Sequence, residues 1–280
     1  MDLIWSMISV RRLLNSVPGS RYAASVLGER LLGLGLAQRR RTLMARYAGS
    51  LGNRVRTGPF AGMQITDGPD AFGLMRLIGT YEPELAPTIE DLIARTAYDI
   101  VVNIGCAEGF YAVGFALRLP KTHVHAFDFC KKRQRLCVLN AHQNGVAGRV
   151  TVNGRCTVED MDALLTPEKH ALLFLDCEGA EKGLLRPDLV PGLLQADLVV
   201  ECHDFLDSSI TPTLLKRFHE SHDVIRIGER AHELPDLPEV RGMSGIDKAA
   251  AMFEARAALM HWLIFRSRSR ARNSASYGGT

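Results

Sequence analysis

The stretch DIVVNIGCAEG, Asp99 to Gly109, joins an apolar run of strand type at Ile100–Val102 to a turn that carries Gly105 and Gly109, and a helix-compatible segment follows at once. Strand, glycine turn and helix together make a cradle. Glycine lets backbone amides approach a ligand closely, and the first helical turn offers unpaired N–H groups and a positive dipole end to an anion. The spacing is G-x-x-x-G, not the G-x-G-x-x-G of the dinucleotide fingerprint, whose middle glycine lies where a pyrophosphate presses on the chain. That difference favours a cofactor without a pyrophosphate, such as S-adenosylmethionine, and disfavours a nicotinamide-dependent oxidoreductase.

Outward from this stretch, the pattern alternates. A strand is expected over 99–104, a helix over 108–119 stopped by Pro120, a strand over 122–127 and a helix over 130–143 ending at Asn144-Gly145. Short strands follow near 149–153, 171–176 and 197–202, with helical segments around Leu184-Leu185 and Leu214–Phe218, and two last strands at Asp223–Ile227 and His261–Phe265. Strands that trade places with helices define a doubly wound α/β sheet. The 33-residue connection between the last two strands is rich in Gly, Pro and charge, and is long enough for a loop over an active site.

The chain divides accordingly: N-terminal amphipathic helices over 1–50, a hairpin and lead-in helix over 51–96, the main domain over 97–265 and a basic, disordered tail over 266–280. Leu3, Met7, Val10, Leu14 and Val17 repeat at helical spacing, in a segment too short to span a bilayer and of the wrong charge polarity for a secretory signal. Val17-Pro18-Gly19-Ser20 breaks that pattern, and a second helix is expected from Tyr22 to Leu36, running into Arg39-Arg40-Arg41. These helices are expected to dock on the protein's own core or on a second copy; peripheral contact with an anionic membrane is the alternative. Residues 53–66 alternate around Gly58-Pro59 as a hairpin does, and helical signal returns between Glu84 and Arg95.

Charge is unevenly placed. Residues 1–60 hold ten arginines against Asp2 and Glu29, and Arg266, Arg268, Arg270 and Arg272 face no acid in the tail, whereas residues 61–265 carry 20 basic and 29 acidic groups. An acidic middle argues against a broad nucleic-acid groove. Six cysteines (Cys106, Cys130, Cys137, Cys156, Cys177, Cys202) show no C-x-x-C pair and no zinc-ligand spacing, so they read as reduced, largely buried thiols in a cytoplasmic protein with no metal implied.

Candidate functional residues gather at the carboxyl ends of the expected strands, where open α/β sheets bind ligands. Asp128 closes the second strand, 23 residues after Gly105, in position to accept hydrogen bonds from two ribose hydroxyls; a helix cap is the plainer role. In Asn153-Gly154, at the end of the third strand, Gly154 leaves room for an adenine ring or simply turns the chain. The fourth strand ends LLFLDCEGAEKGLL and the fifth LVVECHDF, so that Asp176, Glu178, Glu181, Glu201, His203 and Asp204 crowd one edge. Strand alternation puts Asp176 with Glu178, and Glu201 with His203, on a common side. Such a set is compatible with a hard divalent cation, but its spacing does not compel one.

The combination NIGCAEGFYAVGFA, HAFDF, LDCEGAE and LVVECHD, preceded by Gly79-Thr80-Tyr81-Glu82-Pro83-Glu84, resembles the FkbM-type S-adenosylmethionine-dependent methyltransferases over roughly residues 79–227. The resemblance implies the seven-stranded, Rossmann-like class I methyltransferase sheet with an antiparallel last strand, and O-methylation of a sugar, glycan or polyketide-type hydroxyl. It gives cofactor roles to Gly105, Glu108, Gly109 and Asp128, with Asn103, Cys106, Phe129, Gly154 and Asp176 beside them. It places Asp176, Glu178, Glu201 and His203 around the reacting oxygen. Asn103 departs from the family's usual Asp and carries no charge. His203 is the expected general base, since its ordinary pKa of about 6.5 lies nearest neutrality. Absence of a Pro-Pro after the fourth strand's acid and of a Pro-Cys nucleophile disfavours methylation of nucleobases. The competing expectation is a non-catalytic binding module of the same fold that meets a partner through its basic termini.

Overall fold

A computed structural model describes residues 20–66, 72–95, 97–230, 232–254, 256 and 260–269. The amphipathic pattern of residues 1–17 and the tail beyond residue 269 lie outside the described residues.

Seven strands, β1 (Ile100–Ile104), β2 (His123–Phe127), β3 (Val150–Asn153), β4 (Ala171–Leu175), β5 (Asp197–Cys202), β6 (His222–Gly228) and β7 (His261–Ser267), form one sheet in the order β3-β2-β1-β4-β5-β7-β6. Neighbours among β1–β5 pair in parallel, and β7 runs antiparallel to both β5 and β6. This is the class I methyltransferase arrangement, and each strand lies within a residue or two of the span expected from the sequence. Helices Phe110–Arg118 and Lys131–Gln143 carry the chain from β1 to β2 and from β2 to β3.

Both faces of the sheet are covered, so side chains of period two feed two cores. Val101, Leu172, Phe174, Val199, Trp262 and Ile264 point to one; Ile100, Val102, Leu173, Leu198, Leu263 and Phe265 point to the other. The chain moves outward from β1 to β3, then crosses back to β4 beside β1. The crevice at that reversal, outside the carboxyl ends of the strands, is the usual ligand site of such sheets.

Four expectations need correction. The second helix runs from Ser20 to Leu51, well past Leu36, because arginine is a good helix former and nothing stops the helix before Gly52, at φ 58°. Through this longer helix the arginine cluster reaches the domain: Arg39 Nε lies 2.5 Å from Asp247 Oδ1, Arg40 donates to the Phe253 carbonyl, and Leu43 and Leu51 are buried against the domain. Residues 53–66 turn as a hairpin would but form one isolated antiparallel bridge, Arg54–Gln64, and no paired strands. The long connection is not all loop, since it contains helices Pro238–Arg241 and Gly245–Met252, the latter packed on the N-terminal helix, although its Glu254, Arg256 and Met260 do reach the crevice at the reversal. Finally, β7 extends through Ser267, so the tail begins later than residue 266; Arg266 pairs with Asp91 at 2.6 Å and Arg268 with Asp223 at 2.8 Å. Among the described residues no helix is long and apolar enough to cross a membrane.

Candidate active site

A cavity of about 620 Å³ opens at the reversal point, between the turns that follow β1, β2, β4 and β5. Its first wall is the glycine turn. Gly105 has φ 80°, and a Cβ built there would fall 1.6 Å from the Asp176 carbonyl oxygen, so only glycine fits where β1 leaves the sheet against β4. The amides of Gly105 and Cys106 both donate to the Phe127 carbonyl at 2.9 Å, which ties the turn to the end of β2. Gly109, at φ 90°, precedes the helix Phe110–Arg118 and passes close over Cys137.

Asp128 is buried at the cavity wall. Its Oδ2 accepts from the Ala107 amide at 3.0 Å and its Oδ1 from the Cys130 amide at 2.7 Å, so the carboxylate clamps the glycine turn to the start of the next helix. Each oxygen retains a lone pair for a further donor. Phe129, 71% exposed, and Arg155, whose guanidinium lies 5.9 Å from the Phe129 ring centre, line the outer part of the cavity.

Not every expected cofactor residue reaches this space. Asn103 is buried beneath it and donates to the Phe174 carbonyl on β4, so it joins two strands rather than orienting the turn. Glu108 is buried in an ion pair with Arg76 at 2.7 Å, and of this pair Arg76 is the member on the wall. Cys106 is buried, while Gly154 has open space around it; neither they nor Gly109 line the cavity, whereas Arg155 and Cys156, just beyond Gly154, do. Gly105, Asp128, Phe129, Asp176, Glu178, Glu201 and His203 do share the one cavity.

The opposite wall is built from the ends of β4 and β5. The His203 side chain is 2% exposed, with Nδ1 2.5 Å from Oε1 of the fully buried Glu181. Its Nε2 faces Asp176 Oδ1 at 3.5 Å, Glu178 Oε2 at 3.5 Å and Glu201 Oε2 at 3.7 Å. The expected grouping is realised by a different route from strand alternation. β4 ends at Leu175, and Glu178 at φ 54° and Gly179 at φ 97° fold the chain back so that Glu178 meets Asp176 at the imidazole. A positive φ at Glu178 is a strained choice for a non-glycine residue, held by Glu181 Oε1 accepting from the Gly179 amide at 3.1 Å.

Deeper in, Arg256 is ringed by acids: it bonds Glu201, lies 2.8 Å from Glu254, and stands 3.6 Å from each of Glu82, Glu84 and Glu229. Tyr111 donates to Glu82. Burial, then the charge of Asp176, pushes Glu82 up to about 8; burial, with the charges of Asp176 and Glu82, pushes Glu201 up to about 11. Asp176 is raised by burial too, so the acids share fewer negative charges than their number suggests. Burial lowers the pKa of His203, but its bond to Glu181 and the charges of Glu181, Asp176 and Glu178 more than offset this and leave it raised.

Glu181, Glu82 and Arg256 were not assigned from the sequence. Glu181 stands out only as one of six crowded acids and imidazoles, Glu82 only as part of the GTYEPE motif, and Arg256 carries no motif at all.

No family model and no curated protein matches this chain. Among solved structures, the chain is similar to the O-methyltransferase TomG of Streptomyces achromogenes, crystallised with S-adenosylmethionine (13% identity, 65% of this chain and 80% of that one, TM-score 0.44). It is also similar to the human methyltransferase 10 domain containing protein (12%, 82% and 96%, TM-score 0.46) and to TrmN from Thermus thermophilus (18%, 74% and 56%, TM-score 0.42). Likenesses this distant carry no argument about activity or ligand; the fold is established by the strand order itself.

Proposed function

We propose that this chain is an S-adenosylmethionine-dependent methyltransferase of the FkbM type, acting on a hydroxyl group of a sugar, glycan or polyketide-type small molecule. One observation carries the proposal: the Gly105 turn with Asp128, and the His203 imidazole ringed by carboxylates, open on the same cavity from opposite sides. The first half fits the cofactor. The turn admits no Cβ, and the carboxylate of Asp128 keeps an acceptor position on each oxygen for ribose hydroxyls, while Phe129 offers an exposed ring face for a base.

When bound, S-adenosylmethionine supplies an electrophilic methyl group, which passes to the hydroxyl oxygen as the electrons of the broken C–S bond return to sulfur. The protein's own contribution is alignment and removal of the proton. Alignment in well-oriented cases lowers a barrier by about 7–11 kcal/mol, and proton removal adds about 10²- to 10⁴-fold. His203 Nε2 with Asp176, Glu178 and Glu201 is where the hydroxyl proton is drawn off, and Glu181 orients the imidazole. A binding module acting through basic termini draws less support, because Arg39, Arg40, Arg266 and Arg268 are bonded to the domain itself.

The test is ligand selectivity. At about 100 times its dissociation constant, S-adenosylmethionine or S-adenosylhomocysteine stabilises the fold by about 2.7 kcal/mol, which in a chain of this size raises Tm by about 5–10 °C. NAD should leave Tm unchanged. A shift with NAD and none with S-adenosylmethionine would refute the proposal.

A further inference from the structure

The two nitrogens of His203 stand in different situations. Nδ1 is committed to Glu181 Oε1, at 2.5 Å and out of solvent, so the hydrogen of a neutral imidazole sits on Nδ1 and the lone pair on Nε2. That lone pair faces three carboxylate oxygens at 3.5, 3.5 and 3.7 Å, all beyond hydrogen-bond reach. Among the described residues Nε2 makes no hydrogen bond, although the side chain is only 2% exposed, and Asp176 Oδ1 is a buried atom that accepts none either. Nε2 and the oxygens of Asp176 and Glu178, three electron-rich atoms around one point, repel each other unless something positive occupies the centre.

A proton on Nε2 relieves this for the imidazole but leaves the carboxylates apart. A divalent ion satisfies them together. One ligand atom from each of Asp176, Glu178 and His203 lies within 4.8 Å of the others, a spread that an ion with ligand distances of about 2.0–2.2 Å spans with small side-chain movements. The outer partner is present as well. An imidazole that ligates through one nitrogen usually donates its other N–H to a carboxylate, which fixes tautomer and ring direction, and Glu181 stands in that place.

We propose that His203 Nε2, Asp176 and Glu178 bind a divalent cation whose remaining coordination positions face the cavity. One imidazole and two carboxylates suit a borderline-hard ion such as Mn²⁺ better than Ca²⁺, which prefers oxygen throughout. Glu201, which bonds Arg256 through its other oxygen and is pushed up to about 11 by burial, stands beside the site as a neutral carboxyl. Binding of the ion stands on this geometry alone. Its use rests on the methyl-transfer proposal: with the Nε2 lone pair on the ion the imidazole no longer takes the proton itself, and an acceptor hydroxyl held at an open position becomes more acidic and gives its proton to solvent water.

The experiment uses the full chain, stripped of metal by chelator, with Mn²⁺ as the probe and free Mn²⁺ read by electron paramagnetic resonance. One ion per chain is expected. Glu178→Gln, at a side chain 75% exposed, leaves Tm unchanged while weakening Mn²⁺ binding at least tenfold; Glu181→Gln, in the outer shell, weakens it about 10- to 100-fold. His203→Ala abolishes it. The site is overturned if the wild-type chain takes up no Mn²⁺ below millimolar concentration, or if uptake is the same in Glu178→Gln and His203→Ala as in the wild type. Thermal shifts with S-adenosylmethionine on the same samples separate the two proposals. Stoichiometric Mn²⁺ binding without a cofactor shift upholds the ion site and counts against methyl transfer, whereas a cofactor shift with no Mn²⁺ uptake does the reverse.

Discussion

Replacing Gly105 with Ala tests whether the close approach of β1 to β4 is what shapes the cradle. Two costs add. At φ 80° an L-residue with a Cβ pays about 1–2 kcal/mol for its backbone conformation alone. The new Cβ would also lie 1.6 Å from the Asp176 carbonyl oxygen, where ordinary contact begins at 3.4 Å, so the two segments must part by roughly 1.8 Å. That separation is resisted by the Asp176 amide, which donates to the Ile104 carbonyl at 3.0 Å, and by the parallel register that ends at Ile104 and Leu175. Overpacking of this kind costs about 1–3 kcal/mol, for a total of about 2–5 kcal/mol against a typical stability of about 5–15 kcal/mol. Gly145→Ala is the control, since Gly145 has φ 68° but nothing within 4 Å of its Cβ position, and should show the backbone cost alone. Urea denaturation of both variants gives the comparison. Gly105→Ala should be less stable than Gly145→Ala by about 1–3 kcal/mol. If the two variants are destabilised equally, the close approach at Gly105 is not what the fold depends on.

Arg256→Met removes the cation from a ring of buried acids and should destabilise the chain by about 3–5 kcal/mol at neutral pH. Glu82 and Glu201 stand at about 8 and about 11 with the cation present and rise further without it, so their share of the loss is absent below about pH 8 and grows above it; the Tm deficit should widen from about pH 7 to 9.5, and a deficit independent of pH over that range contradicts this. Bonds to Arg39 and Ser244 hold Asp247 down at about 2, against 3.8 for an ordinary aspartate. Its stabilising contribution is therefore complete above about pH 3.8 and disappears as pH drops through about 2, and Asp247→Asn should flatten the acid limb of the Tm profile in that window. Asp128→Ala should weaken S-adenosylmethionine binding while leaving turnover at saturating cofactor close to wild type, as calorimetry and initial rates would establish. His203→Ala should show the converse, with turnover down about 10²-fold or more and cofactor affinity retained.

The order of strands and helices from residue 99 onward could be read from the chain because period-two apolar runs, glycine turns and helix stops are local signals, and local signals survive without tertiary context. Gly105, Asp128, Asp176, Glu201 and His203 were legible for the same reason: each sits where an apolar run ends, and in a doubly wound sheet those ends converge. What folding alone decided are the partnerships between segments far apart in sequence. Arg76 takes up Glu108, Arg39 takes up Asp247, and Arg256 enters the site from a connection that carries no motif. Glu181 became the partner of His203 because Glu178 and Gly179 adopt left-handed backbone angles that bend the chain after β4, a choice that depends on what β5 brings alongside. Composition showed fourteen terminal arginines against two acids; the tertiary structure bonded several of them to the domain, since an arginine and a carboxylate distant in sequence gain from pairing only once the fold has placed them side by side.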